Sequence, residues 1–137
     1  MIESSAIYEY SYEGPLPLFI VGGINGDGVR LDSTEALDVS NNSLTCQPTE
    51  PYLHTVENAV SFLDGDGSPV VCGGSFADGD ISDACFVYPE GGDHLWTPVA
   101  VMNKPRRWAA GVQLDENRYW ITGTWCRRLI YLDPALF

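Results

Sequence analysis

Three acidic, glycine-rich stretches are the first places to look for chemistry in this chain of 137 residues. They are residues 25–28 (Asn-Gly-Asp-Gly), 64–67 (Asp-Gly-Asp-Gly) and 78–80 (Asp-Gly-Asp). Alternating oxygen ligands suit Ca²⁺, but an EF-hand loop also needs glycine at its sixth position and flanking helices. In the stretch that starts at Asp78, the sixth residue is Asp83. Because Asp-Gly pairs strongly favour tight turns, we interpret all three stretches as turns and predict no metal site.

The two histidines give little support for catalysis. His54 and His94 each stand without a credible Ser or Cys partner in sequence, and the chain has no Gly-x-Ser-x-Gly motif. No Cys-x-x-Cys pair accompanies them, so a zinc site is not predicted either. The sequence therefore predicts a protein that is not an enzyme, with no catalytic residues and no cofactor.

The four cysteines raise the question of a disulfide bond. Cys72 and Cys85 lie about symmetrically around a loop centred near residues 78–79, so in an antiparallel hairpin they could sit opposite each other and bridge. The alternative is that both are small buried apolar residues. Cys46 and Cys126 have no obvious partner. A bridge would imply an oxidising, extracellular setting, and reduced thiols would leave a cytoplasmic location as the default.

The first fourteen residues bear on location as well. They lack the basic start and apolar centre of a signal peptide. The longest apolar runs are too short to span a bilayer. The sequence therefore predicts neither a signal peptide nor a membrane segment.

Charge is strongly negative overall and unevenly distributed. The formal net charge is −12, which argues against nucleic acid and anionic membranes as partners of the whole chain. Residues 1–103 contain 16 acidic side chains and one basic one, whereas residues 104–137 contain six basic and three acidic ones. A basic cluster in the second part could bind an acidic peptide or a phosphate, or pair with acidic neighbours of the chain itself; its members are Lys104, Arg106, Arg107, Arg127 and Arg128. Arg106 and Arg107 are the candidate partner-binding residues.

The elements that must position these residues follow a repeat of about 50 residues. A Gly-Gly pair closes an apolar run at residues 22–23 and again at 73–74, and a degenerate Thr-Gly copy follows at 122–123. A Leu-Asp pair recurs 51 residues apart, at 63–64 and 114–115. Such a period is typical of repeat folds. The complete copy predicts four short strands and no helix, with strands at residues 56–64, 69–74, 82–88 and 94–101.

These residues resemble kelch repeats, the four-stranded blades of a β-propeller. The resemblance rests on Gly73-Gly74, on Tyr88 at the end of the third strand and on Trp96 eight residues later. A basic-aromatic stretch at residues 105–111 also resembles the family. The resemblance implies an all-β fold of antiparallel, four-stranded kelch-type blades. We interpret Tyr88 and Trp96 as packing between adjacent blades, because large aromatic side chains dominate burial energetics.

The repeat divides the chain into four parts. Residues 1–16 form an irregular segment, of which residues 6–12 could add an extra strand. Residues 17–50 form a partial blade that contains its second to fourth strands. Residues 51–103 form a complete blade, and residues 104–137 form a partial blade that contains its first to third strands. Propellers have 4–8 blades, so fewer than three leave the ring incomplete. We expect a fragment of a longer propeller. The alternatives are a ring completed by oligomerisation and an open stack with exposed, self-associating edges.

The resemblance implies a function in protein binding. Kelch propellers present loops to protein partners, and the corresponding loops here are residues 25–33 and 75–82, together with Arg106 and Arg107. We therefore expect a non-enzymatic protein-binding module. The alternatives are part of a propeller enzyme, either galactose-oxidase-like or glycan-active, and a chain with no independent activity.

Overall fold

Strands are the only regular secondary structure in the computed structural model, which describes residues 5–6, 17–38, 46–89, 95–115, 118–124 and 128–131. The strands are β1 (Ser5–Ala6), β2 (Pro17–Val21), β3 (Thr34–Asp38), β4 (Cys46–Pro48), β5 (Val60–Leu63), β6 (Pro69–Cys72), β7 (Ala84–Val87), β8 (Thr97–Val101), β9 (Ala110–Asp115), β10 (Arg118–Thr122) and β11 (Arg128–Tyr131). The prediction of an all-β chain is confirmed.

The strands form three antiparallel sheets in which sequence neighbours pair. Sheet 1 contains β1 to β4, sheet 2 contains β5 to β8, and sheet 3 contains β9 to β11. All four strands predicted for residues 56–101 are present in sheet 2. Sheet 1 gains its fourth strand from the amino end, where Ser5 pairs with Val21 and Ala6 with Ile20. Residues 7–12 of the anticipated extra strand lie outside the described residues.

The central strand β6 of sheet 2 is buried on both of its faces. All four residues of β6 are buried, as the continuous apolar run in the sequence predicts for a central strand. Because side chains alternate along a strand, Val71 points into the cluster shared with sheet 1, whereas Val70 and Cys72 point into the cluster shared with sheet 3. This one strand therefore contributes to both of the hydrophobic clusters that join sheet 2 to its neighbours.

Aromatic side chains fill the space between sheets 1 and 2. Trp96 packs against Tyr52 and Tyr88, with ring centroids 4.9 and 5.3 Å apart. Tyr88 in turn contacts Phe19 of β2 at 5.9 Å. Tyr88 and Trp96 thus lie between successive sheets, as interpreted from the sequence. Each such ring pair is worth about 0.5–1.5 kcal/mol beyond its area burial.

The interface between sheets 2 and 3 has a different composition. Phe62 of β5 stacks on Tyr119 of β10 with centroids 4.2 Å apart, and the Tyr119 hydroxyl donates a 2.8 Å hydrogen bond to the Leu63 carbonyl. Ile121 joins them in the same buried cluster. Tyr119 and Ile121 therefore hold sheet 3 against sheet 2.

Strand pairing aligns the third copy of the repeat with the second differently from the Gly-Gly pattern, by one residue. Cys72 lies opposite Val60, and 50 residues later Thr122 lies opposite Ala110. Thr122 thus occupies the position of Cys72 rather than that of a glycine. Because side chains alternate, a shift of one residue exchanges the two faces of a strand. Trp120 consequently lies on the face of sheet 3 that is turned away from sheet 2.

Candidate functional site

The cysteine pair predicted from spacing lies at the centre of sheet 2. Cys72 and Cys85 are directly opposed across β6 and β7, and their sulfur atoms are 2.05 Å apart, the length of a disulfide bond. Both residues are fully buried in the cluster between sheets 2 and 3. Of the remaining cysteines, Cys46 is exposed on β4 with a free thiol, and Cys126 lies outside the described residues.

The acidic, glycine-rich stretches form turns stabilised by their own side chains. The first oxygen-bearing side chain of each stretch accepts a 3.0 Å hydrogen bond from the backbone N–H two residues later; the three acceptors are Asn25, Asp64 and Asp78. This is the Asx-turn arrangement that these residue types favour. Asp64 also accepts from the Ser68 N–H at 2.8 Å. Its partial burial raises the pKa of its carboxyl group, although these backbone hydrogen bonds oppose the shift.

No group of three potential metal ligands comes together among the described residues. His54 instead makes a ring contact with Phe76, with centroids 4.9 Å apart. His94 lies outside the described residues.

Successive sheets are joined by backbone hydrogen bonds that repeat along the chain. In the first junction, Val56 donates to the Leu31 carbonyl at 2.9 Å and accepts from Gly23 N–H at 2.7 Å. In the second, Arg106 donates to the Ser82 carbonyl at 3.0 Å and accepts from Gly74 N–H at 2.8 Å. Each junction therefore ties the loop after the second strand of a repeat to the segment that precedes the next sheet. We call residues 22–33, 52–58, 73–83 and 102–108 the loop face.

Arg106 is buried at the centre of the second junction. Its relative accessibility is 0%, so its side chain cannot contact a protein partner in this structure. The expectation that Arg106 belongs to a partner-binding surface is therefore wrong. The physical reason is its position: it replaces Val56, a residue whose side chain is also buried between two sheets.

Arg107 lies closer to the surface and forms a cation–π pair with the next residue. Its guanidinium carbon is 4.2 Å from the centroid of the Trp108 ring, and Trp108 is 56% exposed. The Arg107 Nε atom is buried and has no hydrogen-bond partner. Trp108 has a φ of 47°, an uncommon value for a bulky residue, and its N–H donates to the Asn58 carbonyl at 2.9 Å. An exposed aromatic ring with a cation above it therefore marks this end of the loop face.

The first junction contains a partly buried ion pair that sequence reasoning missed. Arg30 Nε and Nη2 lie 2.7 and 2.6 Å from Glu57 Oε1, and Arg30 Nη1 donates to the Ala77 carbonyl at 3.3 Å. The Glu57 side chain is only 8% exposed. Arg30 thus connects sheet 1, the segment before sheet 2 and the loop after β6. One feature of the sequence could have indicated this pair: Arg30 is the only Lys or Arg before Lys104.

An open groove of about 400 Å³ lies at the second junction. It lies between the loop after β6 and the segment before sheet 3, and its lining residues are Gly79, Asp80, Ile81, Lys104 and Pro105. Lys104 is exposed there, two residues before the buried Arg106. Of the other basic residues in the predicted cluster, Arg127 lies outside the described residues, and Arg128 is the first residue of β11.

These elements define an all-β protein made of antiparallel sheets packed face to face. A propeller-like solved structure, described as "Structure of YjhT", shares the arrangement with a TM-score of 0.70 at 14% sequence identity. The match covers 96% of this chain and 41% of that one, so the chain spans less than half the length of that structure. The likeness shows the fold alone.

Two other comparisons gave no match. No family model matches the sequence. No curated protein matches it. In the described parts of the chain, no helix is long and apolar enough to cross a membrane.

Proposed function

We propose that this chain is a protein-binding module of the kelch-type β-propeller class, without catalytic activity of its own. The observation that carries the proposal is the pair formed by Arg107 and the exposed Trp108 at the edge of the loop face. Arginine and tryptophan are enriched among the residues that contribute most to protein interfaces. A rigid scaffold of three sheets beneath surface loops is also the usual arrangement for binding sites.

The surrounding charge supports a protein partner over nucleic acid. Arg107 and Lys104 are accessible cations in a chain whose net charge is −12. That negative field disfavours polyanions such as DNA or RNA, which need many phosphate contacts at once. A protein segment, folded or extended, can instead place one or two polar groups beside these cations and pack apolar atoms against Trp108.

The same proposal includes an oxidising compartment. Cys72 and Cys85 are bridged in the structure, and disulfide bonds persist outside the reducing cytosol. An extracellular or secretory partner is therefore the one to seek.

A selection of random peptides on the full chain tests the function. We expect enriched peptides that bind the wild type and bind Trp108→Ser at least about tenfold more weakly, since truncating a central aromatic residue commonly costs more than 1 kcal/mol. Trp120→Ser is the matched control, because Trp120 is also exposed but lies on sheet 3. The absence of any enriched peptide, or equal losses in both variants, would contradict the proposal.

A further inference from the structure

The two junctions of the loop face carry different charges at equivalent positions. Glu57 follows Val56, and Arg107 follows Arg106 at the same point of the repeated hydrogen bonds. Arg30 and Ile81 are equivalent as well, because each forms an isolated bridge six residues after its partner, Ile24 and Ser75 respectively. The ion pair of the first junction thus corresponds to Arg107 and Ile81 in the second.

Arg107 therefore occupies the position equivalent to the Glu57 carboxylate, and Ile81, the counterpart of Arg30, carries no charge. The two positions are close along the backbone, because the Arg106 N–H donates to the Ser82 carbonyl. The ion pairs seen among the described residues join Arg30 to Glu57 and Arg118 to Asp115, and neither involves Arg107 or Lys104. Within the described part of the chain, the Trp108 ring is the one group in contact with the Arg107 guanidinium, and the Nε atom is buried without a hydrogen-bond partner. A partly buried cation without a counter-ion is costly, so an anion from outside the chain would stabilise this junction.

The groove beside Ile81 supplies the space and a second cation. Its volume of about 400 Å³ is in the range that accommodates a small ligand or a few side chains. Lys104 lines this groove, and Asp80 is the one acidic residue among the described residues of its lining. We propose that the groove binds an aspartate or glutamate side chain of a partner protein, with its carboxylate between Lys104 and Arg107. This inference rests on the proposed protein-binding function and identifies the chemistry of its ligand.

A carboxylate fits this site better than a phosphate group. Asp80 lies in the groove and Asp78 in the same turn, and both repel an incoming anion. Attraction to Lys104 and Arg107 and repulsion by the two aspartates both scale with ligand charge. A phosphate monoester carries about −1.5 to −2 at neutral pH against −1 for a carboxylate, so its extra charge gains little net Coulomb energy from these four groups and costs more to desolvate. The ion pair of the first junction supports a carboxylate ligand as well, because Arg30 there pairs with the carboxylate of Glu57.

Binding of three labelled peptides to the full chain, measured by fluorescence anisotropy at low salt, tests the assignment. The peptides alternate glycine with glutamate, glutamine or phosphoserine. We expect the glutamate peptide to bind about tenfold more tightly than the glutamine peptide, as for a charge-assisted hydrogen bond. Arg107→Gln and Lys104→Gln should each remove most of this difference. Arg118→Gln is the control, because Arg118 is an exposed arginine on β10.

A substitution that fills the site gives a sharper test. Ile81→Glu would place a carboxylate beside Arg107 and restore an internal ion pair, so it should abolish the preference for the glutamate peptide while both cations remain. Ile81→Gln, of the same shape without the charge, should leave the preference in place. Equal binding of the glutamate and glutamine peptides, tighter binding of the phosphoserine peptide, or full binding by Ile81→Glu would overturn the assignment.

The two proposals fail in different ways. Selected peptides that need Trp108 but bind Ile81→Glu normally would leave the protein-binding function standing and remove the carboxylate site. A chain that selects no peptide and shows no preference for the glutamate peptide would remove both.

Discussion

Val56 and Arg106 occupy the same position in two successive junctions between sheets. Each donates its N–H to the loop of the preceding sheet and accepts from a glycine N–H through its carbonyl, at 2.9 and 2.7 Å for Val56 and at 3.0 and 2.8 Å for Arg106. The backbone geometry is thus preserved although one side chain is apolar and the other charged. What repeats in this chain is the backbone hydrogen bonding, and the glycines are required because they allow it.

The glycines of the second junction provide a direct test. Gly74 has a φ of +94°, and an added Cβ would lie 2.5 Å from Val56 Cγ2 and 2.9 Å from the Glu57 carbonyl oxygen. Gly79 has nearly the same φ, +93°, but no atom within 4 Å of an added Cβ. We expect Gly79→Ala to lower the free energy of unfolding by about 1–2 kcal/mol through backbone strain alone. Gly74→Ala should cost roughly 1–3 kcal/mol more, because of the steric clash.

Urea unfolding of both variants measures this difference. Since the two φ values are almost equal, the excess cost of Gly74→Ala reports the close approach of Gly74 to residues 56–59, the segment that leads into β5. Equal losses in the two variants would show that the junction relaxes without cost.

The sequence predicted the strands better than it predicted the surface. The Gly-Gly pairs and the turns at residues 64–67 and 78–80 depend on the local backbone conformation, which the residue types reveal. The strands of sheet 2 therefore lie where the pattern predicted them. Burial of Arg106 could not be read in the same way. An Arg-Arg pair looks exposed in a sequence, and only the match with Val56 across the junctions shows that the first of the two arginines points inward.

The ion pair of the first junction was hidden for a related reason. Arg30 and Glu57 are 27 residues apart and belong to different sheets, so no local period connects them. The third copy of the repeat was misaligned by one residue because Thr122 and Gly123 resemble a degenerate Gly-Gly pair. Pairing with Ala110 and Gly111 of β9, which only the fold reveals, sets the register.

The disulfide bond of sheet 2 should contribute strongly to stability. Cys72 and Cys85 are 13 residues apart, and closing a loop of this length in the unfolded chain stabilises the native state by about 3 kcal/mol. We expect a reducing agent to lower the urea midpoint of the wild type. The double variant Cys72→Ala/Cys85→Ala should be less stable in all conditions and insensitive to the reducing agent.

Cys46→Ala is the control for this experiment, because Cys46 is exposed and free. It should respond to the reducing agent as the wild type does. A wild type whose unfolding is the same with and without the reducing agent would show that the bridge adds no stability.

Alkaline pH should destabilise the interface between sheets 1 and 2. Burial raises the pKa of the Tyr52 hydroxyl well above its ordinary value. The folded state therefore keeps this proton after the unfolded chain, with a tyrosine pKa of about 10, has lost it. The stabilisation is complete below that value and is lost as pH rises above it, by up to about 1.4 kcal/mol per pH unit for one tyrosine.

Tyr52→Phe isolates this contribution. The variant should lose stability less steeply than the wild type above about pH 10, whereas the two should run parallel at neutral pH. The measurement is the free energy of unfolding in urea across that range. Parallel curves up to the highest pH would mean that Tyr52 ionises without unfolding the interface.

The outer face of sheet 3 should drive self-association. Val112 and Trp120 are paired across β9 and β10 and are 57% and 38% exposed, whereas the equivalent pair in sheet 2, Phe62 and Val70, is buried against sheet 3. The sequence predicted self-association through sheet edges, and the structure adds this apolar face. We expect the mass measured by light scattering to rise with protein concentration, because contiguous exposed apolar surface favours association.

Trp120→Lys should restore a concentration-independent monomer mass, since a charge at the centre of the face must be desolvated when a second copy covers it. Trp108→Lys is the matched control: Trp108 is more exposed than Trp120 but lies on the loop face, so its replacement should leave the association unchanged. A wild type that stays monomeric at every concentration would contradict the prediction. Equal effects of the two lysine variants would instead assign the association to general hydrophobicity, not to the face that continues the stack of sheets.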